Sequence, residues 1–169
     1  NKIITSTPGS CPITGGKVLA IGQSVNEKQF KFINRKNRAL LNFVHFGRLD
    51  KSKGIQEIID LSSKIRIERP GLTLTLIGNP SNAENLEWAD DLRNRYASES
   101  NWVKFVAGAN RNELPELIGR FDIMLHAFQG SLDKTLIEAT MLGIPVATLN
   151  REYLKEFGCW NTESNSNSL

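Results

Sequence analysis

Two short stretches concentrate residues that could grip an anion. The first is Phe46-Gly47-Arg48-Leu49-Asp50-Lys51-Ser52-Lys53-Gly54, in which Arg48 and Lys53 stand five positions apart between Gly47 and Gly54. A guanidinium holds a phosphate through two hydrogen bonds, and a lysine adds a mobile point charge. The pair could hold a diphosphate and neutralise it as it leaves, while a solvated charged loop is the other reading of the same residues. The second stretch is Gly130-Ser131-Leu132-Asp133-Lys134-Thr135-Leu136-Ile137-Glu138. A small-residue loop feeding a helix start leaves backbone N–H groups unpaired at the positive end of the helix dipole, which is an anion site in its own right. Glu138 would lie about one turn inside that helix, with Ala139, Met141 and Leu142 following it. A carboxylate in such apolar company could accept hydrogen bonds from the two hydroxyls of a ribose, against the alternative of a surface glutamate.

The elements around these stretches alternate. Lys17–Ile21, Asn42–Phe46, Leu72–Ile77, Val103–Val106, Phe121–Ala127 and Pro145–Thr148 are short apolar runs with little polar alternation, the pattern of strands buried on both faces. Between them, Ile55, Ile58, Ile59, Ser62 and Ile65 mark one helix face that ends at Pro70-Gly71. Leu86, Ala89, Leu92 and Tyr96 mark a second helix, and Leu114, Leu117 and Ile118 a third. A fourth runs from Lys134 to Leu142 and stops at Gly143, two residues before Pro145. Strand-helix alternation at this spacing needs crossover connections, so the expected fold is a Rossmann-like, doubly wound α/β domain with helices on both faces of a parallel sheet. Ligands of such sheets sit beyond the carboxyl ends of the strands, where both anion-gripping stretches fall.

Composition narrows the classes further. The 169 residues, 40% hydrophobic and 23% charged, suit one globular domain. The apolar runs are too short to span a bilayer. A net charge of +3 gives no argument for nucleic acid. The basic run Lys28, Lys31, Arg35, Lys36 and Arg38 reads as a solvated surface, with contact to anionic lipid headgroups as the open alternative. The expected setting is cytoplasmic, or peripheral at the inner face of the membrane under that alternative. Cys11 and Cys159 have no metal-ligand spacing and read as reduced thiols.

Six segments in order and spacing resemble retaining, GT-B-fold glycosyltransferases of family four, the glycosyl transferases group 1. GRLDKSKGIQEIIDL (Gly47–Leu61) resembles the family's "GRL…KG" segment, and SLDKTLIEATMLGIPVAT (Ser131–Thr148) its "LLEAMACGxPVVAT" signature. LTLTLIG, WVKFVAGANRNELPELI and FDIMLH are similar to "LxIxGxG", "VxFxGxVxxxELxxLY" and "ADVxVxPS", and VLAIGQSVNEKQF (Val18–Phe30) to "VxVIxNGVDxxxF". The resemblance covers roughly residues 2 to 150 and implies the C-terminal, donor-binding domain of a two-domain enzyme. It divides the chain into a linker or edge segment, 1–16, the nucleotide-sugar-binding domain, 17–150, and a C-terminal tail, 151–169.

By that resemblance Arg48 and Lys53 hold the donor diphosphate and carry the catalytic charge, with Gly47 in their turn. Glu138 binds the ribose. Ser131, Leu132, Asp133, Lys134 and Thr135 form the loop and helix start whose amides meet the distal phosphate. Val106 to Gly108 meets the base, and Gly22 belongs to the loop after the first strand. The implied reaction moves a sugar from a nucleoside-diphosphate sugar to a glycan, lipid or other acceptor with retention. No acidic metal-binding motif such as DxD is found, so no metal and no further cofactor are expected. The acceptor-binding N-terminal domain would lie outside this chain, which alone should bind donor without turnover. Two departures stand out. Gly130 occupies the place of the family's first glutamate, which touches the transferred sugar, and His126-Ala127 replaces a proline-serine pair. Asp133 reads first as a helix N-cap. A nucleotide-sugar-binding or regulatory module without catalysis is the alternative function.

Overall fold

The computed structural model describes residues 1–13, 15–34, 40–97 and 101–158. Five strands form the main sheet: β3 (Asn42–Phe46), β4 (Thr73–Ile77), β5 (Val103–Val106), β6 (Ile123–His126) and β7 (Val146–Thr148). All neighbours are parallel and the order is β5-β4-β3-β6-β7. The first strand candidate, Lys17–Ile21, does not join this sheet. Its core, β2 (Val18–Ala20), pairs with β1 (Ile3–Thr5) in a separate two-stranded parallel sheet. Leu19 and Ile21 are exposed, so an apolar run that reads as buried is here only a small surface ribbon.

The missing polar alternation in the main strands has a direct cause. Successive side chains enter different cores: Phe43 packs with Ile55, Ile58, Ile59 and Leu92 on one face, and Val44 with Met124, Leu136 and Ala139 on the other. The first face is covered by α1 (Ile55–Glu68) and α2 (Ala83–Ala97), the second by α3 (Leu114–Ile118), α4 (Lys134–Met141) and α5 (Arg151–Phe157). The α1 face is the one its spacing predicts, with Ile55, Ile58, Ile59 and Ser62 buried, and the helix ends at Glu68 with Arg69 as its C-cap, just before Pro70. α5 has no apolar periodicity strong enough to announce it. Its N-cap, Asn150, accepts from the Tyr153 N–H at 2.9 Å and donates to the Phe128 and Ser131 carbonyls at 3.0 and 3.1 Å. A single buried amide therefore starts α5 and holds the loop after β6.

Among the described residues no helix is long and apolar enough to cross a membrane. Lys28 and Lys31 of the basic run are exposed; Arg35, Lys36 and Arg38 lie outside the described residues, as do Cys159 and the tail from 159 onward.

Candidate functional site

The sheet order reverses between β3 and β6: from β3 the chain moves to β4 and β5 on one side, then returns to place β6 on the other. Turns leaving adjacent strands in opposite directions open a crevice at their carboxyl ends. The turns after β3 and β6 are the two stretches expected to grip an anion, and here they touch. A methyl at Gly47 would stand 3.7 Å from Thr135 Cγ2 in α4. The turn after β4 presses in as well: a Cβ on Gly78, at φ 154°, would fall 1.7 Å from the Gly47 carbonyl oxygen. Only glycine permits that approach. The turn after β5 joins through the Gly108 N–H, which donates to Asn79 Oδ1 at 3.1 Å.

Lys53 is buried, and its Nζ donates to Asp133 Oδ2 at 2.6 Å while lying 3.8 Å from the centre of the Phe128 ring. Asp133 is the N-cap its position predicts, accepting from the Thr135 N–H at 3.4 Å and the Thr135 hydroxyl at 3.2 Å. His126 Nε2 is a further neighbour at 3.4 Å. Burial works to raise the Asp133 carboxyl, yet His126 and Lys53 overcome it and hold the group well below the usual carboxylate range. The lysine expected to face an open diphosphate pocket thus closes on a carboxylate of its own chain, and the Thr135 amide expected to meet phosphate already has an acceptor. Arg48 differs from Lys53: its side chain is 63% exposed and stands 3.5 Å from Asp50. Asp50 is itself buried and accepts from the Ser81 N–H at 2.8 Å, so it braces the turns after β3 and β4 against each other.

Glu138 is fully buried in α4, not a surface glutamate. Its Oε1 takes a hydrogen bond from Arg111, in the segment between β5 and α3, and its Oε2 is buried with no partner among the described residues. Burial pushes its carboxyl above the usual range, against the pull of Arg111. Val106 and Gly108 are exposed at the end of β5, and Lys134 is half-buried at the start of α4. The Leu132 N–H donates to Ser10 Oγ at 3.1 Å, and Gln23 Nε2 donates to the Leu132 carbonyl at 3.2 Å. These contacts set the loop of Gly22 beside the start of α4, where Gly22 and Leu132 line a common cavity of 420 Å³.

Gly130 has a physical explanation. A Cβ there would stand 2.3 Å from Phe128 Cζ, so the Phe128 ring fills the space that a longer side chain would need. His126 lies buried beneath it, its Nδ1 3.1 Å from the Thr148 hydroxyl. His45 is buried too: its Nδ1 lies 3.0 Å from the Leu125 carbonyl, and burial brings its pKa down to about 4. Sequence reasoning did not single out Arg111 or Phe128: Arg111 sits in the WVKFVAGANRNELPELI segment without a role of its own, and Phe128 reads as a packing residue after β6. Among the described residues no three His, Cys, Asp or Glu side chains cluster as metal ligands would.

A family profile described as glycosyl transferases group 1 matches residues 26–159. No curated protein sequence matches the chain significantly. The fold is similar to that of the pneumococcal O-GlcNAc transferase GtfA, crystallised in complex with UDP and GlcNAc, at 19% identity and a TM-score of 0.60 over 78% of this chain and 24% of that one. It is also similar to Anabaena Alr3699/HepE in complex with UDP and glucose, at 19% identity and a TM-score of 0.68 over 87% of this chain and 44% of that one. The C-terminal domain of a group 1 family protein, LpcC from Francisella tularensis, matches at 20% identity and a TM-score of 0.60, over 74% of this chain and 70% of that one. This chain spans less than half the length of the first two proteins. Its sheet and helices form a Rossmann-like half of a GT-B architecture.

Proposed function

The chain belongs to the glycosyl transferases group 1, and from that premise we propose that it is the donor-binding domain of an enzyme that moves a sugar from a nucleoside-diphosphate sugar to an acceptor. The observation that carries this reading is the meeting of the turns after β3, β4, β5 and β6 at the sheet's reversal point, with an exposed arginine, a capped helix start and a buried carboxylate in one place. In this reading the diphosphate meets Arg48 and the start of α4, Lys53 adds its remaining N–H donors, and Glu138 receives the ribose. The turn after β5, around Val106 and Gly108, lies against the base.

Negative charge grows on the departing diphosphate as the glycosidic bond breaks. Fixed cations and helix amides aimed at those oxygens stabilise the transition state more than the ground state. Retention of the anomeric configuration, independence of divalent metal, and an acceptor-binding domain elsewhere in the protein are part of the proposal. So is a cytoplasmic setting, with the basic run of Lys28 and Lys31 turned to anionic lipid when the protein is peripheral.

One observation favours a second reading, a nucleotide-sugar-binding module without catalysis. The Phe128 ring stands where a side chain at position 130 would project, so the family's sugar-contacting glutamate has no counterpart there. Calorimetry with UDP, GDP and ADP and their glucose conjugates, in the presence of a chelator, tests the primary proposal. Binding of one diphosphate series under chelation is expected. Binding of none, with or without Mg²⁺, refutes the donor site, and binding only with Mg²⁺ refutes metal independence.

A further inference from the structure

Glu138 poses a problem that the donor reading leaves open. Its carboxylate is sealed from solvent, so a ribose cannot reach it unless something leaves. Its one side-chain partner among the described residues is Arg111. The two partners differ in mobility: Glu138 is fixed in the middle of α4, whereas the Arg111 side chain is 47% exposed and belongs to a segment without regular structure between β5 and α3. The Arg111 backbone is tethered, since its carbonyl accepts from Gln29 Nε2. Rotation of the side chain alone would free Oε1 of its partner, and the face of Phe30, 5.3 Å from the guanidinium, offers a wall along which it can move.

The acceptor count points the same way. Arg111 satisfies Oε1 and leaves Oε2 without a donor among the described residues. A buried acceptor left unpaired is costly and uncommon in a native fold. A vicinal diol brings two O–H donors in one rigid group, one for each oxygen, where the guanidinium here supplies one. A partly exposed ion pair adds little stability, so the fold gives it up readily.

We propose that Arg111 is a displaceable occupant of the ribose subsite, holding Glu138 in the empty domain and giving way to the two ribose hydroxyls when a ribonucleoside diphosphate binds. This rests on the donor-site reading. It makes Arg111 a positioning residue whose displacement costs a ribonucleotide part of its affinity and costs a nucleotide without the diol nothing.

The test compares the parent and Arg111→Gln for binding of UDP and of 2′,3′-dideoxy-UDP at pH 8. The dideoxy compound has nothing to exchange with Arg111, so any loss of general positive charge affects both ligands alike and cancels in their ratio. The preference for UDP over the dideoxy compound should grow about three- to fivefold in the variant, the size of a half-exposed ion pair. An unchanged or smaller preference overturns the proposal. Arg111→Lys, which keeps the charge and folding risk closest to the parent, should give an intermediate ratio, and a ratio equal to the parent's counts against it. If the parent binds none of UDP, GDP and ADP, the donor-site reading falls and this proposal with it. If the parent binds UDP and the ratios do not move, only this proposal falls.

Discussion

Removing the Lys53 ammonium should unfold the site before it disturbs the sheet. The Lys53 and Asp133 side chains are 8% and 18% exposed and lie 2.6 Å apart. At that distance, in an effective dielectric of about 20, the direct attraction is roughly 6 kcal/mol, most of it offset by the desolvation of both ions. Breaking a buried pair from one side is costlier than its net worth suggests, because the partner stays behind uncompensated. Asp133 keeps His126 and both Thr135 donors as neighbours, so Lys53→Met should cost about 3 kcal/mol, the lower end of the usual range. Asp133→Asn retains the cap, since asparagine caps as well as aspartate, but strands the ammonium over Phe128, and should cost a similar amount. The double variant should lose much less than the two together, with a coupling of about 2 kcal/mol or more. Urea unfolding at pH 7, followed by circular dichroism, measures all four proteins. The pair's stabilisation is complete above the ordinary carboxylate value and is lost as pH falls through the depressed Asp133 value, so Lys53→Met should also flatten the acid limb. Additive losses, or a Lys53→Met cost under about 1 kcal/mol, would show that the pair is solvated and the burial argument wrong.

Three other outcomes follow from the same structure. Arg48→Ala should leave the melting temperature unchanged, since the side chain is 63% exposed, and should weaken a nucleoside diphosphate by about 1.5 to 3 kcal/mol without affecting the free nucleoside; equal losses in calorimetry would remove Arg48 from the phosphates. Glu138→Gln should reduce ribonucleoside diphosphate affinity by about 1 to 3 kcal/mol and that of the 2′-deoxy analogue by less, and identical affinities in parent and variant would remove it from the ribose subsite. Burial holds His45 at about 4, below its ordinary 6.5, so the unfolded chain takes up a proton that the folded chain refuses between these values. Stability should therefore be complete above pH 6.5 and fall by about 3 kcal/mol on the way to pH 4 from this group, the raised Glu138 carboxyl acting in the opposite sense; urea midpoints of His45→Gln should show a shallower fall.

The main sheet was legible because its cause is local. A strand covered on both faces is apolar at most positions, and Val44 beside Phe43 or Leu125 beside Met124 says so without knowledge of any partner. Lys17–Ile21 shows the limit of that signal, since an apolar run alone does not say which sheet it joins. Asp133 was legible for a similar reason, as a cap is decided by its own next turn. The Lys53–Asp133 bond joins residues 80 positions apart, and the Arg111–Glu138 pair residues 27 apart. No local pattern encodes such meetings, so the sequence marks Lys53 as a cation on a turn and leaves Asp133 opposite it unseen. Phe128 escaped notice because a lone aromatic after a strand reads as packing, and its role appears only once Gly130 is found beneath the ring.

The reversal of strand order also dictates a sequence of events in time. Pairing β3 with β4 joins residues such as Asn42 and Thr73, 31 positions apart, whereas the contact of Lys53 with Asp133 spans 80. Closing the longer loop costs roughly 1 kcal/mol more in chain entropy. The β3-β4-β5 half and the β6-β7 pair, whose partners such as Met124 and Val146 lie closer still in sequence, can therefore each assemble first, and the seam between β3 and β6 closes late. Contacts made last are those absent from the folding transition state, and strengthening them slows unfolding while leaving the folding rate almost unchanged. A ligand bridging the two turns across that seam would act as a brake on unfolding, lengthening the lifetime of the folded domain without hastening its formation.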